Sequence, residues 1–258
     1  MSAPKTFTDD LCACLRFWSR LPVPMCGQDY GLPDFARVVR ALPLAGLIIA
    51  APGAIVLVLA HALGLPPLVC AGLALVALVA TTGGFHEDGL ADCADALGGY
   101  TVERRLDIMK DSRVGAFGAL ALAFTVLLRA GALAALLNVS AEAALLAFIG
   151  AAGLARVAGL LPLALLPPAR ADGFGPLAQQ RGPAFAAAWV GAGLCALVPA
   201  LGDATLARAM VAGALGVGAA ALTIPFARAR FGGATGDVAG AAEQICEIMF
   251  LLTLAARP

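Results

Sequence analysis

The sequence predicts an all-α fold, a polytopic integral-membrane bundle of about seven transmembrane helices with a cytoplasmic acidic helix, in one membrane-embedded domain spanning residues 1-258. Three observations point there. Of the residues, 61% are hydrophobic and 13% charged, against about 45–50% and about 25% in soluble domains, so a soluble globule could not cover the apolar surface. Apolar runs of about 20 residues, the length that spans a bilayer, recur with short connections between them. The basic residues, placed on alternate loops, gather on one side.

Taken in order, residues 1-41 read as an interfacial N-terminal segment. Phe7 to Arg40 is amphipathic, contains the turn-prone Arg20-Leu21-Pro22-Val23-Pro24, and is expected at the membrane surface. Met1 to Asp10 carries Lys5, Asp9 and Asp10 without the apolar core and cleavage site of a signal peptide, so insertion is expected to rely on the internal helices. Spans are expected near 42–60, 67–84, 116–137, 142–166, 184–201, 209–227 and 238–256. Glycine and proline recur inside them, as spanning helices tolerate.

With the N-terminus inside, Lys5, Arg16, Arg20, Arg37, Arg40, Arg104, Arg105, Lys110, Arg113, Arg170, Arg181, Arg228 and Arg230 fall on the cytoplasmic side. Arg208 and Arg257 fall outside, and Arg129 and Arg156 lie within spans. This bias puts the loops 85-115 and 228–237 in the cytosol, where nucleotides are, and the C-terminus outside.

Formal net charge is zero, so nothing suggests a nucleic-acid partner, which calls for a basic patch. Cys12, Cys14, Cys26, Cys70, Cys93, Cys195 and Cys246 are scattered without a paired CxxC, which argues against zinc, redox or disulfide frameworks and for packing cysteines.

The loop 85-115 reads as the catalytic segment. It opens with Gly84-Phe85-His86-Glu87-Asp88-Gly89-Leu90-Ala91-Asp92-Cys93-Ala94-Asp95. On a helix Asp88, Asp92 and Asp95 stand at i, i+4 and i+7, within an arc of roughly 60°. Like charges so spaced destabilise a helix by about 0.2–0.5 kcal/mol per pair, and a divalent cation would relieve them. Hard oxygen ligands suit Mg2+, which takes one or two carboxylates with waters and substrate phosphate. A solvated acidic face is the bland alternative. It is weakened by the adjoining span, the absence of lysine at i+4, and the small Gly89, Ala91 and Ala94. His86 is a candidate for contact with substrate or metal, although a lone histidine also serves structure.

Downstream, Lys110 and Arg113 are candidates to neutralise phosphate, the arginine by bidentate contacts, with Asp111 adding a ligand or positioning the arginine. A charged interfacial helix would look the same. The third element is Phe231-Gly232-Gly233-Ala234-Thr235-Gly236-Asp237 leading into a span that holds Glu243, Gln244 and Glu247. A glycine-rich turn entering a helix offers backbone N–H groups to an anion, although such turns also serve as plain connectors. Gly233, Thr235 and Asp237 are its candidate binding residues. Ionisable groups inside a span usually face a cavity. Arg156 is expected to reach a buried carboxylate such as Glu247 and hold a pocket wall.

Together these segments resemble the cobalamin (5′-phosphate) synthase family, the adenosylcobinamide-GDP ribazoletransferases. The resemblance runs from Arg20-Leu21-Pro22-Val23-Pro24 through His86-Glu87-Asp88-Gly89-Leu90-Ala91-Asp92 and Ile108-Met109-Lys110-Asp111-Ser112-Arg113 to Gly232-Gly233-Ala234-Thr235-Gly236-Asp237. It implies a multi-pass inner-membrane enzyme that depends on Mg2+ and displaces GMP from adenosylcobinamide-GDP with a hydroxyl of α-ribazole or its 5′-phosphate. On that reading Asp88, Asp92 and Asp95 hold Mg2+ against the pyrophosphate and Arg113 and Lys110 neutralise phosphate. One aspartate, Asp95 for choice, assists deprotonation. Two positions depart from the family pattern: Glu87 stands for leucine and Gln244 for glutamate. The first would add a carboxylate near the site. A homo-oligomer, or association with other cobalamin-assembly enzymes, is compatible with that resemblance. The rival readings are another Mg2+-dependent membrane transferase, of CDP-alcohol phosphotransferase or prenyltransferase type, and a transporter using Arg129 and Arg156. No repeated halves support the transporter.

Overall fold

A computed structural model of the chain describes residues 6–24, 32–170 and 182–256. Lys5, Arg181 and Arg257, used above to place the loops, lie outside the described residues. All regular structure among the described residues is helical, apart from one isolated bridge between Pro168 and Ala234.

Helix α1 (Phe7–Trp18) opens on a capping box in which Thr6 and Asp9 satisfy each other's free amides. It is amphipathic as expected, but its apolar face is taken up by protein. Ala13, Cys14, Leu15 and Trp18 are buried, and Asp10 in the same helix pairs with Arg37 at 2.8 Å and Arg40 at 2.7 Å. The segment therefore docks on the bundle through the short α2 (Phe35–Val38) and the 3-10 turn Val39–Ala41, which runs into α3 (Leu42–Ala62).

Next come α4 (Pro67–Thr82), α5 (Phe85–Asp95), α6 (Val102–Ile108), α7 (Ala116–Leu137), α8 (Ala141–Ala158), α9 (Leu161–Leu165), α10 (Pro183–Leu197), α11 (Leu206–Ala221), α12 (Thr223–Phe231) and α13 (Gly236–Ala255). Among the described residues six stretches are long and apolar enough to cross a membrane: Phe35–Ala62, Ala116–Leu137, Ala141–Leu165, Pro183–Leu201, Leu206–Phe231 and Gly236–Ala255. A seventh arises if α4 and α5 count as one broken span bent by 92°. Six of the expected spans thus correspond, whereas the expected 67–84 matches the 16-residue α4, which reaches spanning length only together with the acidic helix. Large apolar side chains such as Ile55, Leu59, Val76, Phe124, Leu127, Val190 and Leu215 point outward, as lipid-facing positions would.

Small residues set the crossings. A Cβ on Gly46 of α3 would sit 2.6 Å from the Ala152 carbonyl oxygen of α8, so the two backbones touch. The break between α4 and α5 comes from Gly83 and Gly84, both at φ 74°, a left-handed conformation that favours glycine. Their amides share the Val79 carbonyl at 2.7 and 3.1 Å. The bend then drives α5 between α7 and α13.

Candidate active site

Two backbone contacts bring the acidic helix and the glycine-rich turn together. A Cβ on Gly89 would lie 2.8 Å from the Asp237 carbonyl oxygen, and one on Gly240 would lie 3.1 Å from that of His86. α5 and the start of α13 therefore pack with no side chain between them. Thr235 is the N-cap of α13, accepting from the Val238 amide at 3.2 Å. Asp237 follows in the first turn, where the helix dipole favours a negative charge.

Asp88 is exposed, while Asp92 and Asp237 are part-buried. Asp92 feels the charges of Asp88, Asp237 and Asp95, and both Asp92 and Asp237 feel the opposing charge of Arg170. Arg170, counted in the sequence only as a loop cation, is thus the positive group of this cluster. The strand-like pairing of 167–169 with the turn places it there: the Ala234 amide donates to the Pro167 carbonyl at 2.8 Å and the Ala169 amide to the Ala234 carbonyl at 2.9 Å. Arg170 Nη2 also donates to the Leu106 carbonyl at 2.8 Å, and Arg105 Nη1 to the Arg230 carbonyl at 3.2 Å, which fastens α6 over the same end. No run of sequence signals that pairing.

Several expected roles change. Asp95 shares the acidic face, but its carboxylate accepts the amides of Gly115 at 2.7 Å and Gly118 at 2.8 Å. It caps α7, because the first amides of a helix need acceptors, so both its oxygens are engaged by backbone. Among the described residues no group of three His, Cys, Asp or Glu side chains is arranged to hold a metal ion, so the three aspartates do not close into a ready cage. Gly233 serves the backbone: a Cβ there would meet the Pro167 oxygen at 2.4 Å.

Arg113 and Asp111, on the loop after α6, pair with each other at 2.5 Å, the arginine largely exposed. Hydrogen bonding from Arg113 holds the Asp111 carboxyl down at about 2. Here the aspartate positions the arginine. Lys110 is exposed on the same loop.

His86 is buried, its Nδ1 3.9 Å from Glu243, behind the acidic face. Arg156 reaches Glu243 at 3.6 Å, not Glu247 as expected, because Glu247 is taken by Arg129 at 2.9 Å. Glu87 adds no carboxylate to the open cluster; it accepts from Arg129 Nη1 at 3.0 Å, and Gln244 Oε1 accepts from the same nitrogen at 3.1 Å. The two departures from the family pattern therefore meet on one guanidinium nitrogen. The Gln244 amide also donates to Glu243 at 2.9 Å, which a carboxylate at 244 could not do.

Residues 10–255 match the family described as Cobalamin-5-phosphate synthase. A relative from Azorhizobium caulinodans, named Adenosylcobinamide-GDP ribazoletransferase, is 48% identical over 257 residues, covering 94% of each chain. The chain belongs to the Cobalamin-5-phosphate synthase family. Relatives with the same printed name from Xanthobacter autotrophicus and Rhizobium etli are 44% and 43% identical, over 94% and 97% of this chain and 94% and 98% of their own. No solved structure matches. Family membership sets aside the phosphotransferase, prenyltransferase and transporter readings, and the match runs over the turn, the acidic helix and the buried arginines alike.

Proposed function

We propose that the chain transfers the cobinamide phosphate of adenosylcobinamide-GDP to α-ribazole or α-ribazole 5′-phosphate, giving adenosylcobalamin or its 5′-phosphate and GMP. A ribazole hydroxyl oxygen attacks the phosphorus next to cobinamide. The bridging P–O bond breaks, GMP leaves with the electron pair, and the hydroxyl proton passes to a carboxylate of the cluster. Such a reaction asks mainly for positioning and charge neutralisation.

The observation that carries the reading is the meeting of Asp88, Asp92, Asp237 and Arg170 at the entrance to α13, in a chain whose relatives bear the transferase name. The carboxylates fit Mg2+. They oppose one another with Arg170 as the answering cation, and Mg2+ takes one or two carboxylates and completes its shell with water and phosphate. One or two of Asp88, Asp92 and Asp237 would hold it, and when bound it would neutralise pyrophosphate oxygens. Arg170 is well placed for a phosphate oxygen, and Arg113 and Lys110 serve as outer cations that draw the anionic substrate in. The basic-residue bias supports a cytoplasmic face in a bacterial inner membrane.

Purified chain in lipid nanodiscs, supplied with adenosylcobinamide-GDP, α-ribazole and Mg2+, should form adenosylcobalamin and GMP in equal amounts and stop on chelation. Folded protein that forms neither product would overturn the proposal.

A further inference from the structure

The geometry points to Arg129 as a positioning residue: its guanidinium ties α5 to α13 and so sets the spacing between Asp88 and Asp92 on one helix and Asp237 on the other. This rests on the reading of those carboxylates as the metal and pyrophosphate site. Arg129 lies well inside α7, 1% exposed, where an unpaired cation would be expensive. Its acceptors come from two other helices: Glu87 of α5 at 3.0 Å, and Gln244 and Glu247 of α13 at 3.1 and 2.9 Å. A planar fork with several fixed donors can hold three acceptors in a set relation, which a flexible ammonium cannot.

The helices that carry those acceptors also carry the open cluster. Glu87 precedes Asp88, and Asp237 lies about 15 Å along α13 from Glu247 at 1.5 Å per residue. The other end of α5 is fixed to α7 as well, through Asp95 on the Gly115 and Gly118 amides. Pinned at both ends on α7, α5 cannot slide along its axis, and Arg129 extends the same constraint to α13. Gly89 and Gly240 keep the helices in backbone contact, but glycine contacts resist sliding weakly, and the directional bonds at Arg129 supply the register.

A buried ion cluster is poor evidence of a purely stabilising role, since replacing one as a group by apolar residues often leaves stability unchanged or higher. That separates positioning from structure. The variant Arg129→Met/Glu87→Leu/Glu247→Leu, purified without substrate, should unfold near the wild-type temperature. Its Mn2+ affinity, read by EPR of the free ion, should fall by about 10–100-fold, with a similar fall in turnover, as supporting residues around metals show. A folded triple variant with wild-type Mn2+ binding and turnover would overturn the proposal. Should the triple variant lose its cooperative transition, Arg129→Lys decides on the same readouts: weaker Mn2+ binding is expected, and unchanged binding refutes. A wild-type chain that neither binds Mn2+ nor makes product would instead sink the underlying site reading, and the proposal with it.

Discussion

Two groups of carboxylates lie within a few helical turns of each other and differ in what answers their charge. Glu87, Glu243 and Glu247 are buried and face Arg129 and Arg156. Asp88, Asp92 and Asp237 are more open, repel one another, and have Arg170 as the opposing cation. Both groups sit on α5 and α13. A carboxylate matched by an arginine inside the bundle holds helices together, whereas carboxylates left in mutual repulsion at its edge are, on the proposed reading, a place for a cation and an anionic substrate from outside. Asp88 and Glu87 are neighbours in the chain, yet they belong to different groups because they leave α5 on different sides.

The largest effect that can break this comparison is at the open group. If the proposed site is right, Asp92→Ala should lower turnover by about a thousandfold, because a metal contact supplies several kcal/mol of charge stabilisation and each 1.36 kcal/mol is tenfold in rate. Membrane insertion should be unchanged, and turnover near wild type would place the chemistry elsewhere. Asp237→Asn should lower turnover less, about a hundredfold, and raise the Mg2+ concentration needed for half-maximal rate; a plain connector would change neither.

The arginines sharpen the contrast further. Arg170→Ala should weaken turnover by about a hundredfold, in the range for losing a fixed donor to developing charge. Arg113→Ala, which removes an exposed guanidinium already paired with Asp111, should lose less than about tenfold, with a loss that shrinks as salt rises. The opposite ranking would return the phosphate contact to the loop after α6. The smallest effect on chemistry should come from Gly233→Ala, whose Cβ would collide with the Pro167 oxygen. It should destabilise by about 1–3 kcal/mol, read as a lower unfolding temperature, with the surviving folded fraction close to wild type in rate.

Much of this architecture is legible in the chain because bilayer thickness imposes a length on each apolar run. The expected start and end of α7 agree with the structure at Ala116 and Leu137, where Gly115 and Asn138 flank it. The acidic stripe is legible as a shared helical face, since spacing at i, i+4 and i+7 puts three aspartates in one narrow arc of any helix. Contacts between distant segments are not legible. Nothing local distinguishes Arg170 from other loop arginines, and its place depends on the pairing of 167–169 with the turn at Ala234. Asp95 looks equivalent to Asp88 and Asp92 on a helical wheel, and only the amides of Gly115 and Gly118 divert it. The partners of Arg129 were likewise hidden, because each lies far off in the chain.

The arrangement around Arg129 also bears on the order in which the protein is made. Chains emerge N-terminus first, so Glu87 is synthesised 42 residues before Arg129 and Glu247 118 residues after it. When α7 enters the membrane, the carboxylate on α13 does not yet exist. Glu87 does, and a nascent chain can bring the guanidinium into the bilayer already neutralised by an acid made earlier, then hold it until the last helix arrives to complete the set.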